Sequence, residues 1–123
     1  MHYPVVFTMA NILYLENHAV FAEQVTRKFL AIHKVTVVPS LLAARKALEF
    51  AKFDLIFSDY DLDDGKGDEF VRECRIDHHA LPIIAVSAHD AGNSALLRAG
   101  ATAVCGKMEF DQIGRVIQPF LHE

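Results

Sequence analysis

The sequence predicts an α/β domain, a parallel sheet with helices packed on both of its faces. Two observations predict it. Short apolar runs, each too compact for a helix, recur five times along the chain, and segments with helical apolar spacing lie between them. The runs are continuously apolar rather than alternating. A strand shows this when both its faces are covered, as in a parallel sheet.

The first run is Ile12-Leu13-Tyr14-Leu15, followed by a predicted helix from about His18 to Ala31 that places Val20, Phe21, Val25 and Phe29 near one face. Val35-Thr36-Val37-Val38 is the next strand. Ser40 then suits an N-cap for a helix through Leu42, Ala43, Ala47, Leu48 and Phe50, because its hydroxyl can accept an otherwise unpaired N–H of the first turn. Leu55-Ile56-Phe57 forms the third strand, and Asp68 to Ile76 a helix carrying Phe70, Val71 and Cys74. Ile83-Ile84-Ala85-Val86 is the fourth strand. A helix from Asn93 to Ala99 follows, closed by Gly100, whose freedom at positive φ suits a C-cap. Ala103-Val104-Cys105 is the weakest strand. A last helix, Phe110 to Leu121, carries Ile113, Val116, Ile117 and Phe120, with Pro119 expected to weaken its end.

The 123 residues suit one domain, long enough to bury roughly two thirds of the surface of the unfolded chain. No linker, repeat or low-complexity stretch divides residues 1–123, and residues 1–8 look like an N-terminal extension. Apolar residues make up 52%, so a packed core is expected. Twelve basic against 16 acidic side chains give a formal net charge of −4, which argues against a nucleic-acid surface. The start MHYPVVFTMANILYL is apolar but lacks a basic leader, and no apolar run approaches the ~20 residues that span a bilayer. A soluble, cytoplasmic protein is expected. Cys74 and Cys105 belong to no CxxC pair and suit buried thiols.

In a parallel sheet, ligands bind beyond the carboxyl ends of the strands, so the polar residues that follow each run matter most. Glu16 and Asn17 follow the first run, Asp59 and Asp61 the third, Ser87 the fourth and Lys107 the fifth. Carboxylate and carbonyl oxygens are what a hard cation such as Mg²⁺ prefers. A carboxylate can itself attack phosphorus, and a metal, an ammonium and a hydroxyl around the transferred group would stabilise its charge. Plainer roles also fit these residues: Ser87 as a helix cap, Glu16 and Asn17 as a helix N-terminus, Lys107 as a surface lysine. His18 lies near the proposed metal, and the His78-His79 pair suits solvent.

From about Asn11 to Leu121 the chain resembles the receiver domains of two-component response regulators. ILYLEN stands where an acidic pair ends the first strand, and DLIFSD ends the third at the phospho-acceptor. Gly67 falls eight residues after Asp59, AVSA supplies the hydroxyl, and LRAGATAVCGK leads to the family lysine, Lys107. The resemblance implies a flavodoxin-like, doubly wound sheet of five parallel strands in the order 2-1-3-4-5. It implies Asp59 as phospho-acceptor with Ser87 and Lys107 beside it, and Mg²⁺ held by Glu16, Asn17, Asp59 and the main-chain carbonyl of Asp61. A sensor histidine kinase or phosphotransfer protein would be the donor, and a downstream protein would take the output.

Four positions depart from that pattern. Asn17 replaces the second acid. A unit charge at ~4 Å from another is worth about 4 kcal/mol gross at an effective dielectric of 20, so weakened rather than abolished Mg²⁺ binding is expected. Asp63 and Met108 each replace a proline. A cis bond without proline costs about 3–4 kcal/mol, so the Lys107–Met108 bond is expected trans. Val104 stands where many relatives carry an aromatic switch residue. Asn17, Met108 and Val104 motivate an alternative, a degenerate receiver that serves as a protein-interaction module without phosphorylation.

Two further readings fit less well. A haloacid-dehalogenase-type phosphatase would match Asp59-Tyr60-Asp61 but needs a further acidic pair beyond the lysine, where only Glu109, Asp111 and Glu123 remain. An EF-hand loop counted from Asp59 would place Phe70 where a bidentate Glu is required. A signalling switch, not an enzyme acting on other substrates, is the reading the sequence supports.

Overall fold

The structure is a computed structural model that describes residues 8–121, so the expected extension over 1–8 lies outside it apart from Thr8. Five parallel strands form the main sheet: β1 (Asn11–Leu15), β2 (Lys34–Val38), β3 (Leu55–Ser58), β6 (Ile83–Ala85) and β7 (Ala103–Val104). Their order is β2-β1-β3-β6-β7. Between β3 and the next helix, β4 (Asp61–Leu62) pairs antiparallel with β5 (Gly65–Lys66) as a small hairpin. Counting the main sheet alone, this is the expected 2-1-3-4-5.

Alternate residues of a strand face opposite sides, and here both sides are apolar. Ile12, Tyr14, Leu55, Phe57 and Ile84 pack on one face with Ala22, Val25, Phe110, Ile113 and Ile117. Leu13, Leu15, Ile56, Ile83 and Ala85 pack on the other with Leu41, Ala44, Phe70, Val71, Cys74 and Leu96. That is why the runs lack alternation. Each fully buried large apolar side chain stabilises the fold by about 1.5–3 kcal/mol, more than any single cap or surface ion pair.

The helices are α1 (Ala19–Phe29), α2 (Leu41–Phe50), α3 (Gly67–Asp77), α4 (Asp90–Ala99) and α5 (Ile113–Ile117). Ser40 caps α2 as expected, its hydroxyl accepting the N–H of Ala43 at 3.0 Å. Asp64, from the hairpin turn, adds a second cap: its carboxylate accepts the N–H groups of Leu41 and Leu42 at 2.7 and 3.0 Å. Those bonds hold the Asp64 carboxyl below its ordinary value.

Two helix faces differ from expectation. In α1 the sheet-facing residues are Ala22 and Val25, while Val20 points to solvent and Phe29 is partly exposed. Val20 lies about 200° around the helix from Ala22, so both cannot face the sheet. In α2 the buried pair is Leu41 and Ala44, leaving Leu42 and Phe50 outward. Small alanines at the contact let each helix approach the sheet closely.

α3 buries Phe70, Val71 and Cys74 as expected. Gly100 closes α4 at a φ of 122°, a left-handed value that favours glycine. The last helix is not continuous. A 3₁₀ segment runs Lys107–Gln112, α5 follows, and a second 3₁₀ turn covers Gln118–Phe120. Pro119 has no N–H to donate, which accounts for the tightened final turn.

Burial pushes the Cys74 thiol up to about 12 and Cys105 up to about 11, as inert core thiols require. Among the described residues, no helix is long and apolar enough to cross a membrane.

Candidate phosphoryl-accepting site

The parallel ladder continues one step past each central strand and so fixes the residues that follow. The N–H of Glu16 donates to Val38 O at 2.9 Å, and that of Asp59 to Leu15 O at 3.0 Å. Val86 donates to Ser58 O at 3.0 Å and Cys105 to Ala85 O at 2.8 Å. Lys107 then donates through its backbone N–H to Ser87 O at 3.3 Å. Residues far apart in sequence thus meet above one edge of the sheet.

Lys107 is the centre of the cluster. Its Nζ stands 2.7 Å from Asp59 Oδ2 and 2.7 Å from Glu16 Oε1. Asp59 Oδ1 accepts the N–H of Tyr60 at 2.7 Å. Glu16, Asp59 and Ser87 are all buried. Two carboxylates against one ammonium leave the group one negative charge. Burial raises the Asp59 pKa above its ordinary value; the Lys107 hydrogen bond opposes this, and the Glu16 charge adds to it. Burial works against the charge of Lys107, but its bonds to Asp59 and Glu16 outweigh that and hold its pKa above the ordinary lysine value.

Ser87 is held by a clamp. Its N–H donates to Asn93 Oδ1 at 2.8 Å, and its carbonyl accepts from Asn93 Nδ2 at 3.0 Å. Its Oγ accepts the N–H of His89 at 3.1 Å. Gly92 makes room for this hydroxyl, since a Cβ there would stand 2.6 Å from Ser87 Oγ. Sequence reasoning missed both residues. The only signal was a glycine and an amide five and six positions after the hydroxyl, a pattern too common to single out.

Most of the acidic run around Asp59 does structural work. Asp54 accepts the N–H of Asn11, Asp64 caps α2, Asp68 pairs with Arg72, and Glu69 with Arg45. The side chain of Asp61 is exposed and pairs with Lys66, which leaves its main chain for any role in the site. Asn17 Oδ1 is enclosed and finds no hydrogen-bond partner among the described residues. Glu16, His18 and Asp59 bring ligand atoms within 4.8 Å of one another. This mixed oxygen and nitrogen set, beside an unpartnered amide oxygen, fits a divalent cation. Among the described residues no peptide bond is cis, so Lys107–Met108 is trans as expected. Met108 is exposed, and Val104 lies partly exposed on β7.

Residues 12–114 match the family model of the response regulator receiver domain. The chain belongs to that family. The receiver is similar in fold to the response regulator TrrA of Thermotoga maritima, solved in complex with Mg²⁺–BeF. The TM-score is 0.82 and the identity 20%, over 92% of this chain and 100% of that one. It is similar to the receiver domain of the sensor histidine kinase PA1611 of Pseudomonas aeruginosa PAO1, solved with a magnesium ion coordinated in its active site cleft. There the TM-score is 0.77 and the identity 25%, over 91% of this chain and 97% of that one. A two-component response regulator from Clostridium difficile gives 0.80 at 18% identity, over 91% and 95%. No curated protein matches this receiver.

Proposed function

We propose that this receiver accepts a phosphoryl group on Asp59 from the phosphohistidine of a sensor histidine kinase or phosphotransfer protein. The observation that carries this is the Lys107 ammonium lying 2.7 Å from both Asp59 and Glu16. A carboxylate oxygen of Asp59 attacks phosphorus as the P–N bond of the donor breaks, and the bonding pair leaves with the imidazole nitrogen. Lys107 faces the oxygens on which charge gathers. The Tyr60 amide holds Asp59 Oδ1 and so fixes the carboxylate for attack.

Glu16, Asn17 and Asp59, with the main-chain carbonyl of Asp61, are the groups that would hold the cation. When bound it would neutralise charge between carboxylates and phosphoryl oxygens. The magnesium present in the PA1611 receiver and in TrrA supports this. Asn17 offers an oxygen without a charge, so Mg²⁺ affinity is expected to be lower than in an Asn17→Asp variant.

Phosphorylation adds about −1.5 to −2 charges. The Ser87 hydroxyl accepts the His89 amide and can still donate its own proton to a phosphoryl oxygen, which would couple the phosphoryl group to the loop entering α4. Val104 carries no ring, so an aromatic swing at that position does not carry the output.

The test is incubation with acetyl phosphate and Mg²⁺ followed by intact mass. One added phosphoryl group is expected in the wild type and none in Asp59→Asn. No adduct in either would support the alternative, a degenerate receiver acting as an interaction module, which Asn17, Met108 and Val104 motivate. A generic phosphomonoester should not be hydrolysed, in contrast to a haloacid-dehalogenase-type phosphatase.

A further inference from the structure

We propose that His18 is a ligand of the divalent cation, and that this receiver therefore selects a later first-row transition ion such as Co²⁺ or Ni²⁺ over Mg²⁺. The inference deepens the cation site of the proposed function and rests on that reading of Glu16 and Asp59.

His18 is the residue just before α1, and its ring folds back over the strand end instead of leaving it. Its Nδ1 lies 3.3 Å from Glu16 Oε2, and its backbone N–H donates to the same oxygen at 3.2 Å. Glu16, His18 and Asp59 each present one ligand atom, all within 4.8 Å of one another. A single ion bonded at about 2.0–2.2 Å spans at most about 4.4 Å between two ligand atoms, so small side-chain shifts bring all three within its reach. The two carboxylates are buried, whereas the imidazole is largely exposed, with 71% of its side chain accessible. An arriving ion would therefore meet the ring from the solvent side, with the acids beneath it.

The charge balance points the same way. Glu16 and Asp59 supply two negative charges, Lys107 offsets one, and Asn17 adds none. Mg²⁺ takes one or two carboxylates and keeps several of its waters, so it gains little from an amide oxygen or an imidazole. Imidazole suits the later first-row ions, such as Ni²⁺ and Zn²⁺, whereas carboxylate, carbonyl and water oxygens suit Mn²⁺ and Mg²⁺ alike. The missing acid at Asn17 and the added nitrogen at His18 therefore act in one direction, toward the transition ions.

The full chain and His18→Gln are titrated calorimetrically with MgCl₂, NiCl₂ and CoCl₂, and the visible absorption of the Co²⁺ form is recorded. The wild type is expected to bind Ni²⁺ and Co²⁺ at least about tenfold more tightly than Mg²⁺. His18→Gln should lose about tenfold or more for Ni²⁺ and Co²⁺, keep its Mg²⁺ affinity within about twofold, and change the Co²⁺ spectrum. Equal losses for all three ions, no loss for any, or no binding of Ni²⁺ and Co²⁺ by the wild type would each overturn the proposal. His18 is a surface residue, and a thermal melt of His18→Gln checks that the variant is folded. Binding is read without phosphorylation, so failure of Asp59 to gain a phosphoryl group would leave this result standing, and the reverse holds too.

Discussion

Gly67 crosses directly over the main chain of Asp59: its N–H donates to Tyr60 O at 2.6 Å, and a Cβ on it would overlap the carbonyl oxygen of Asp59. The same Cβ would stand 2.8 Å from Ser58 Oγ. The close approach seats the β4–β5 hairpin against the acceptor strand and opens α3.

Gly67→Ala therefore has two opposed effects. In the first turn of a helix, alanine usually stabilises by about 0.4–1 kcal/mol through the unfolded chain. Here the methyl group meets backbone, which cannot yield as a flexible side chain would. Overpacking costs typically about 1–3 kcal/mol and should win. Urea unfolding is expected to show a net loss of about 1–2 kcal/mol, with slower phosphorylation by acetyl phosphate. A variant as stable as the wild type would show that the hairpin moves aside freely.

Asn93 makes the second prediction. Its amide satisfies both the N–H and the carbonyl of Ser87, and both bonds are buried. Asn93→Ala leaves a buried donor and a buried acceptor unpaired, at about 1–3 kcal/mol each if no water enters. A loss of roughly 2–4 kcal/mol in urea unfolding is expected. Asn93→Asp, which keeps the acceptor but not the donor, should lose less than Asn93→Ala. Equal stability of all three proteins would show that the clamp is dispensable.

Much of this architecture was legible in the chain, and the failures share one cause. β1, β3 and β6 announce themselves because both faces are covered, so their apolar runs are unbroken. Glu16, Asp59, Ser87 and Lys107 were legible because a parallel sheet gathers whatever follows its strands. Val20, Leu42 and Phe50 misled because a helix shows its apolar residues but not which of them the sheet will meet. Ala22 and Ala44, small enough for close contact, carry little hydrophobic signal yet define the buried faces. Asp64 could not be assigned to the start of α2 because the cap reaches across 23 residues. His18 was placed beside the metal by its position, but the turn of its ring toward Glu16 depends on backbone angles that the sequence does not display.

A pH dependence follows from His33. Its Nδ1 accepts the N–H of Ala10 at 3.0 Å, which requires that nitrogen to be unprotonated, and burial lowers its pKa below 6.5. The unfolded chain therefore binds this proton more readily than the fold does. The stabilisation is fully present above pH 6.5 and is lost as pH falls through the lower folded value. Urea midpoints at pH 7.5 and 5.5 should differ more in the wild type than in His33→Asn, whose amide oxygen can accept the same N–H without titrating. An identical pH response in both proteins would remove His33 from the account.

Phe110 ties the core to the site. It lies in the 3₁₀ segment that begins at Lys107 and is 3% exposed. Its ring stacks on Tyr14 with centroids 5.9 Å apart and meets Phe57 edge-on at 6.2 Å and Phe21 at 6.3 Å. Lys107 Nζ in turn lies 5.2 Å from the centroid of Phe21. Phe110→Ala removes the ring around which these aromatics pack, and such truncations cost about 3–5 kcal/mol. Phe110→Leu restores most of the volume and should cost less, about 1–2 kcal/mol. If Phe110 only filled space, both variants would phosphorylate Asp59 at the wild-type rate under conditions where each is folded. If it also holds the Lys107 segment against the sheet, Phe110→Ala should slow phosphorylation while still folded, with Phe110→Leu between it and the wild type. The shared position of the ring, three residues from the lysine and in contact with Phe21 beneath it, favours the second outcome.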